Sequence, residues 1–221
     1  MHRKSRLDER IAACSDIVKI ADMSEKDMRI SATIPDLLPL SEIFGNGNPI
    51  HLEIGCGKGG FVAETAKLNP DINYIAVEKI SNVLVEALER AKAEKLTNVY
   101  FINCAAEVLP KYLSEGSVSR IYLNFSNPLP KEGYKKQRLT HPKFLDMYRR
   151  LLKDGGEIIQ KTDDRDFYLF SLESYRSCGY EICDVREDLT ADPVEGDVRT
   201  EHEKMFISRG KNIYRIAAVK K

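Results

Sequence analysis

From residue 50 onward, apolar and polar positions follow two alternating periods. Ile50-His51-Leu52-Glu53-Ile54 repeats every second residue, which predicts a strand. A helix is expected from about Gly60 to Leu68, stopped by Asn69-Pro70. Tyr74-Ile75-Ala76-Val77-Glu78 reads as a second strand. Val83, Leu84, Ala87, Leu88 and Ala91 then fall on one face of a second helix. Val99 to Ile102 and Arg120 to Phe125 are the third and fourth strands. Phe144, Leu145, Tyr148, Leu151 and Leu152 mark a helix opened by Pro142 and closed by Gly155-Gly156. Glu157 to Lys161 is a fifth strand, and Phe167 to Cys178 a helix ending near Gly179. Tyr180 to Glu187 and Ile213 to Lys220 close the series as an antiparallel pair.

Strands that alternate with helices imply an α/β, Rossmann-like fold: a mostly parallel sheet of seven strands, helices on both faces, and an antiparallel closing strand. Residues 1–48 are polar and end in the turn-rich Gly45-Asn46-Gly47-Asn48-Pro49. They read as a basic arm with one short helix, ahead of a single domain over 49–221. Ligands of such sheets sit beyond the carboxyl ends of the strands. The loops after residues 54, 78, 103, 125 and 161 are therefore expected around one cleft.

Composition narrows the class. No apolar run approaches the ~18 residues that span a bilayer, and the basic N-terminus leads into no apolar stretch, so neither a membrane span nor a signal peptide is expected. Cysteines 14, 56, 104, 178 and 183 lack CxxC spacing and read as reduced cytoplasmic thiols. Histidines 2, 51, 141 and 202 are scattered, so no metal is expected. Lys plus Arg (34) balances Asp plus Glu (34), which argues against nonspecific nucleic-acid binding by the whole surface. The charge is nevertheless uneven. Residues 131–153 hold Lys131, Lys135, Lys136, Arg138, Lys143, Arg149, Arg150 and Lys153 against Glu132 and Asp146, and the first ten residues carry Arg3, Lys4, Arg6 and Arg10. Such a stripe grips phosphates, or is a solvated helix face.

Gly55, Gly57 and Gly59 lie between the first strand and its helix. Glycine permits a sharp turn and a close ligand approach. With Gly60 the run also satisfies GxGxxG, so a dinucleotide remains open. Glu53, two residues before Gly55, favours another ligand. A carboxylate is unhelpful beside a pyrophosphate but suits the ammonium or sulfonium of S-adenosylmethionine. Glu78 ends the second strand, where an acidic residue accepts ribose hydroxyls. After the third strand no acid appears before Glu107, so backbone near Ala105 and Ala106 takes the adenine contact.

Asn124-Phe125-Ser126-Asn127-Pro128-Leu129-Pro130-Lys131, Arg138-Leu139-Thr140-His141, Lys161-Thr162-Asp163-Asp164 and Thr200-Glu201-His202-Glu203-Lys204-Met205-Phe206 occur in order behind the glycine loop. Together they resemble the bacterial tRNA (guanine-N7)-methyltransferase family, over nearly the whole chain. The resemblance implies a class I methyltransferase fold, S-adenosylmethionine as cofactor, tRNA as partner, and guanosine 46 of the variable loop as target. It places Glu53, Gly55, Gly57, Gly59, Glu78, Ala105 and Asn127 at the cofactor. Lys131, Asp163, Thr200, Glu201, His202 and Glu203 fall at the substrate, with Asn127 and Asp163 catalytic. Three positions depart from the family pattern. Its NFSDPWPK motif has Asp where Asn127 stands and Trp where Leu129 stands, and its acid after the third strand is Ala105 here. The changes at 127 and 105 each remove a carboxylate, which implies a slower enzyme. The basic segment and the arm become the tRNA grip, with Tyr134 beside a flipped base. Two other classes stay open: an impaired relative that binds RNA without modifying it, and a methyltransferase of small molecules or protein. The last predicts that reversing Lys135, Lys136 and Arg138 leaves activity intact. Oligomeric state stays open between monomer and homodimer.

Overall fold

The computed structural model describes residues 5–21 and 35–221. Arg3 and Lys4 of the expected basic arm lie outside them. The chain forms two compact units, Met1–Ser114 and Glu115–Lys221.

In the first unit, β1 (Val18–Ile20), β2 (Ile50–Ile54), β3 (Asn73–Val77) and β4 (Val99–Asn103) lie in the order β1-β4-β3-β2 and run parallel. Every residue of β2 and β3 is buried. The two-residue alternation of β2 therefore does not mark one wet face. His51 and Glu53 are buried along with their apolar neighbours, and His51 meets the Tyr74 ring edge-on at 5.6 Å. Among the described residues, helices α1 (Leu7–Ala12), α2 (Leu40–Phe44), α3 (Gly60–Leu68), α4 (Ser81–Ala93) and α5 (Leu109–Tyr112) belong to the unit. Leu84, Val85, Ala87, Leu88 and Ala91 form the buried face of α4, close to the predicted stripe. Asn98 ties the turn before β4 to α3 by donating to the carbonyls of Ala66, Asn69 and Ile72.

The strand count is eight among the described residues, not the expected seven. The additional strand is β1, from the segment read as an arm. It pairs Val18 with Phe101 and Ile20 with Asn103 at the open edge of β4. Its three residues are too few for a periodic signal. Ahead of it, α1 is fixed to α4 by a two-pronged Arg10–Glu89 pair at 2.6 and 2.7 Å, and Lys92 reaches Asp16 at 2.6 Å.

In the second unit, β5 (Val118–Asn124), β6 (Leu152–Thr162), β8 (Tyr214–Lys220) and β7 (Tyr180–Arg186) are neighbours in that order. β5 and β6 are parallel, and β8 is antiparallel to both β6 and β7. Helices α6 (Pro142–Leu151), α7 (Arg165–Ser177) and α8 (Glu201–Ser208) flank them. One expected boundary moves. α6 stops at Leu151, because Leu152 is already extended at φ −71° and ψ 135°. Gly155-Gly156 thus lies inside β6, where the β5 register slips between Val118 and Arg120. At Gly156 a Cβ would sit 2.9 Å from the Lys153 carbonyl, so the bulge requires glycine. The antiparallel closing pair forms as expected.

Candidate functional site

The loop after β2 is held by backbone. Gly55 and Cys56 both donate to the Val77 carbonyl at the end of β3, at 2.8 and 2.9 Å, and Gly59 donates to Cys56 at 2.9 Å. Gly55 and Gly57 have φ of +83° and +59°, and a Cβ on either would face open space. Their left-handed backbone and bare surface suit a ligand lying on the loop. Gly59 has another task. At φ +75° its missing Cβ makes room for Ala87, whose own Cβ would lie 2.7 Å away. That close approach packs α3 against α4.

Two carboxylates flank this loop. Glu53 is 2% exposed at the end of β2, so it is not a strand-end surface charge. Glu78 accepts from the Gly57 amide at 3.2 Å and the Ile80 amide at 2.8 Å. Both bear on Cys56: burial, then Glu53, then Glu78 push its thiol well above its ordinary range. Asn103, which sequence reading did not single out, joins the loops after β3 and β4. Its amide donates to the Glu78 carbonyl at 2.7 Å, and its oxygen accepts from Ser81 at 2.8 Å. Ala105 follows, half-buried and extended, before a short turn of 3₁₀ helix at Ala106–Val108. The structure thus brings together the loops after residues 54, 78 and 103. These residues fit S-adenosylmethionine: the glycine surface is open, and the carboxylates of Glu53 and Glu78 are of the kind that would meet its cation and its ribose hydroxyls.

The second unit gathers the remaining motifs. Phe125 donates its amide to the Lys161 carbonyl at 2.9 Å, which brings the loop after β5 to the end of β6. Phe125 and Leu129 both adopt left-handed backbone, at φ 51° and 46°, a conformation non-glycine residues rarely take. Asn127 accepts from the Leu129 amide at 3.1 Å, and Arg138 donates to the Leu129 carbonyl at 3.2 Å. The loop is therefore set by these bonds as well as by its prolines. The Phe125 ring stacks on His202 at 6.0 Å and tilts toward Phe206 at 5.5 Å.

Thr200 and Glu203 form a capping box at the start of α8, so their polar groups are engaged within the protein. Glu203 is 1% exposed and accepts from the ammonium of Lys161, equally buried, at 3.0 Å. Glu201 and His202 are exposed on the first turn of α8. Asp163 is partly exposed and pairs with Lys211 at 2.5 Å; Lys211 also lies over the Phe206 ring at 4.8 Å. Lys131 is exposed at the start of the 3₁₀ turn Glu132–Gln137.

The basic residues divide. Lys131, Lys136, Lys143, Arg150 and Lys153 are exposed. Arg138 is not part of that stripe: it is 5% exposed, with its guanidinium 4.5 Å from the Phe170 ring centroid. Arg149 donates to the Cys178 carbonyl and covers the Tyr180 ring at 4.6 Å. Among the described residues of the N-terminal segment, Arg6 pairs with Glu9 and Arg10 with Glu89. Charge counting cannot separate such internal cations from exposed ones. The aromatic residues at 167 and 170 were the available signal for Arg138.

Residues 47–216 match the family model described as "Putative methyltransferase". The tRNA (guanine-N(7)-)-methyltransferase of Alkaliphilus oremlandii (strain OhILAs) is 46% identical over 79% of this chain and 83% of its own length. The protein of the same name from Geobacillus sp. (strain WCH70) is also 46% identical, over 79% of this chain and 80% of its own. A solved antibiotic-related methyltransferase shares the fold at a TM-score of 0.62 and 21% identity, covering 85% of this chain and 96% of that one. With these relatives 46% identical over most of their length and the glycine loop between its flanking carboxylates, the chain belongs to the tRNA (guanine-N7)-methyltransferase family of class I methyltransferases.

Proposed function

We propose that this chain transfers the methyl group of S-adenosylmethionine to N7 of a guanosine in tRNA, at position 46 of the variable loop. The observation that carries the reading is the open glycine loop bonded to Glu78, in a chain 46% identical to tRNA (guanine-N(7)-)-methyltransferases.

The chemistry asks little of the protein. Guanine N7 carries an in-plane lone pair and no proton, so no general base has to act. When bound, S-adenosylmethionine supplies an electrophilic methyl on a sulfonium. Glu53 balances the ligand's positive charge, and Glu78 fixes the ribose. On the acceptor side, Asp163 accepts hydrogen bonds from the guanine edge once it exchanges its partner Lys211 for the base. Its charge also opposes the positive charge growing on the purine. Asn127 contributes a carbonyl but no charge. Holding N7 close to and in line with the methyl would supply much of the acceleration, since effective molarities reach ~10⁵–10⁸ M. Lys131, Lys136, Lys143, Arg150 and Lys153 hold the phosphates. A cytoplasmic setting accords with the five free cysteines.

The test is incubation with labelled S-adenosylmethionine and an unmodified tRNA transcript, followed by chemical cleavage at N7-methylguanosine. Label at position 46 is expected. Cofactor binding with no label in tRNA would replace this reading with that of an RNA binder impaired at Asn127 and Ala105.

A further inference from the structure

Lys161 occupies a place no surface lysine has. Its side chain is 1% exposed. All three ammonium donors are used: the Val198 carbonyl at 2.9 Å, Glu203 at 3.0 Å and Asp197 at 2.5 Å. Its carbonyl accepts the Phe125 amide. One residue at the end of β6 thus holds the loop after β5 by its backbone and the 197–203 segment by its side chain. Asp163, two residues on, follows the end of the same strand.

A buried cation with two carboxylates is a costly way to stabilise a fold, because desolvation offsets most of the attraction. The cluster instead fixes geometry. Val198 and Asp197 belong to a stretch without helix or strand, and Glu203 to the first turn of α8. Without the ammonium, the capping box, local turns and the Phe125 ring against His202 and Phe206 would be left to set where α8 begins. Glu201 and His202, exposed between Thr200 and Glu203, take their position from that start.

We infer that Lys161 is a positioning residue for the acceptor nucleoside: it clamps segment 197–203 in the place where Glu201 and His202 meet the RNA. This rests on the tRNA reading above, and its test has an arm independent of it. Hydrogen exchange over 197–203 is followed in the full chain for wild type and Lys161→Met, alongside steady-state transfer to tRNA and S-adenosylmethionine binding. In the variant, exchange over the segment should accelerate about tenfold or more. KM for tRNA should rise about tenfold, and kcat/KM should fall by up to about 10²-fold. Cofactor affinity should stay within about twofold. Unchanged exchange, an unchanged tRNA KM, or loss of cofactor affinity in step with tRNA affinity would overturn the inference. Should Lys161→Met fail to fold, Asp197→Asn removes a less buried partner. It should speed exchange over 197–200 and raise tRNA KM about threefold, and no change in either overturns the clamp. If wild type transfers no methyl to tRNA, the functional reading falls, and the exchange data alone decide the clamp.

Discussion

The two units hold their loops by different means. In Met1–Ser114 the loop after β2 is set by backbone: amides bonded to the Val77 carbonyl, and glycines that turn where other residues would strain. In Glu115–Lys221 the positioning falls to side chains: the Lys161 cluster, Arg138 on the Leu129 carbonyl, and Asn127 on the Leu129 amide. Under the proposed function, the contrast follows from what each part would hold. A small cofactor of fixed shape suits a rigid backbone cradle. A nucleotide drawn from a large RNA needs charged and aromatic groups at several heights, which only side chains supply.

That division breaks at different substitutions. The largest effect is expected from Glu203→Ala, which leaves Lys161 buried with one fewer counter-charge. It should cost about 3–5 kcal/mol, read by urea unfolding, with the loss confined to the second unit in hydrogen exchange. Next is Gly59→Val. The added atoms would overlap Ala87 in a backbone conformation that disfavours them, costing about 1–3 kcal/mol and loosening the first unit alone. Glu78→Gln should weaken S-adenosylmethionine by about tenfold, equivalent to ~1.4 kcal/mol, in equilibrium binding. If it weakened tRNA instead, the assignment of the two halves would be wrong. Asn127→Asp keeps the oxygen that accepts from Leu129 and adds a charge, so turnover should rise by up to about tenfold; unchanged kcat would count against the charge argument. The smallest effect is chemical. Burial raises the Cys104 thiol to about 12, so it stays protonated at pH 8, and Cys56 is likewise pushed well up. Iodoacetamide at that pH should label exposed Cys183 first and spare both, as mass mapping of the peptides would show.

The backbone-built half was the more legible in sequence. Glycines at 55, 57 and 59 and acids at 53 and 78 are local signals: each residue does its work within the loop that contains it. The helix Gly60–Leu68 formed where its pattern put it for the same reason. The side-chain half was legible as motifs but not as roles. Thr200 and Glu203 stood among the substrate contacts, while the structure engages them in a capping box and with Lys161. Nothing in the local pattern distinguishes a lysine at a strand end in water from one sealed among carboxylates more than thirty residues away. Arg138 was misread for the same cause: its partners Phe167 and Phe170 lie on another helix. β1 escaped because a three-residue strand takes its identity from the edge it joins.

That short strand has a bearing on how the protein is handled. β1 caps the outer edge of β4, where the backbone groups of Val99–Asn103 would otherwise face solvent. A version trimmed to begin at residue 35 would retain every proposed contact to cofactor and guanine. It would also present an unpaired, apolar strand to other copies. Its failure would be one of colloidal behaviour, seen as growth in light scattering with concentration, while the fraction that stays dissolved keeps its affinity for S-adenosylmethionine.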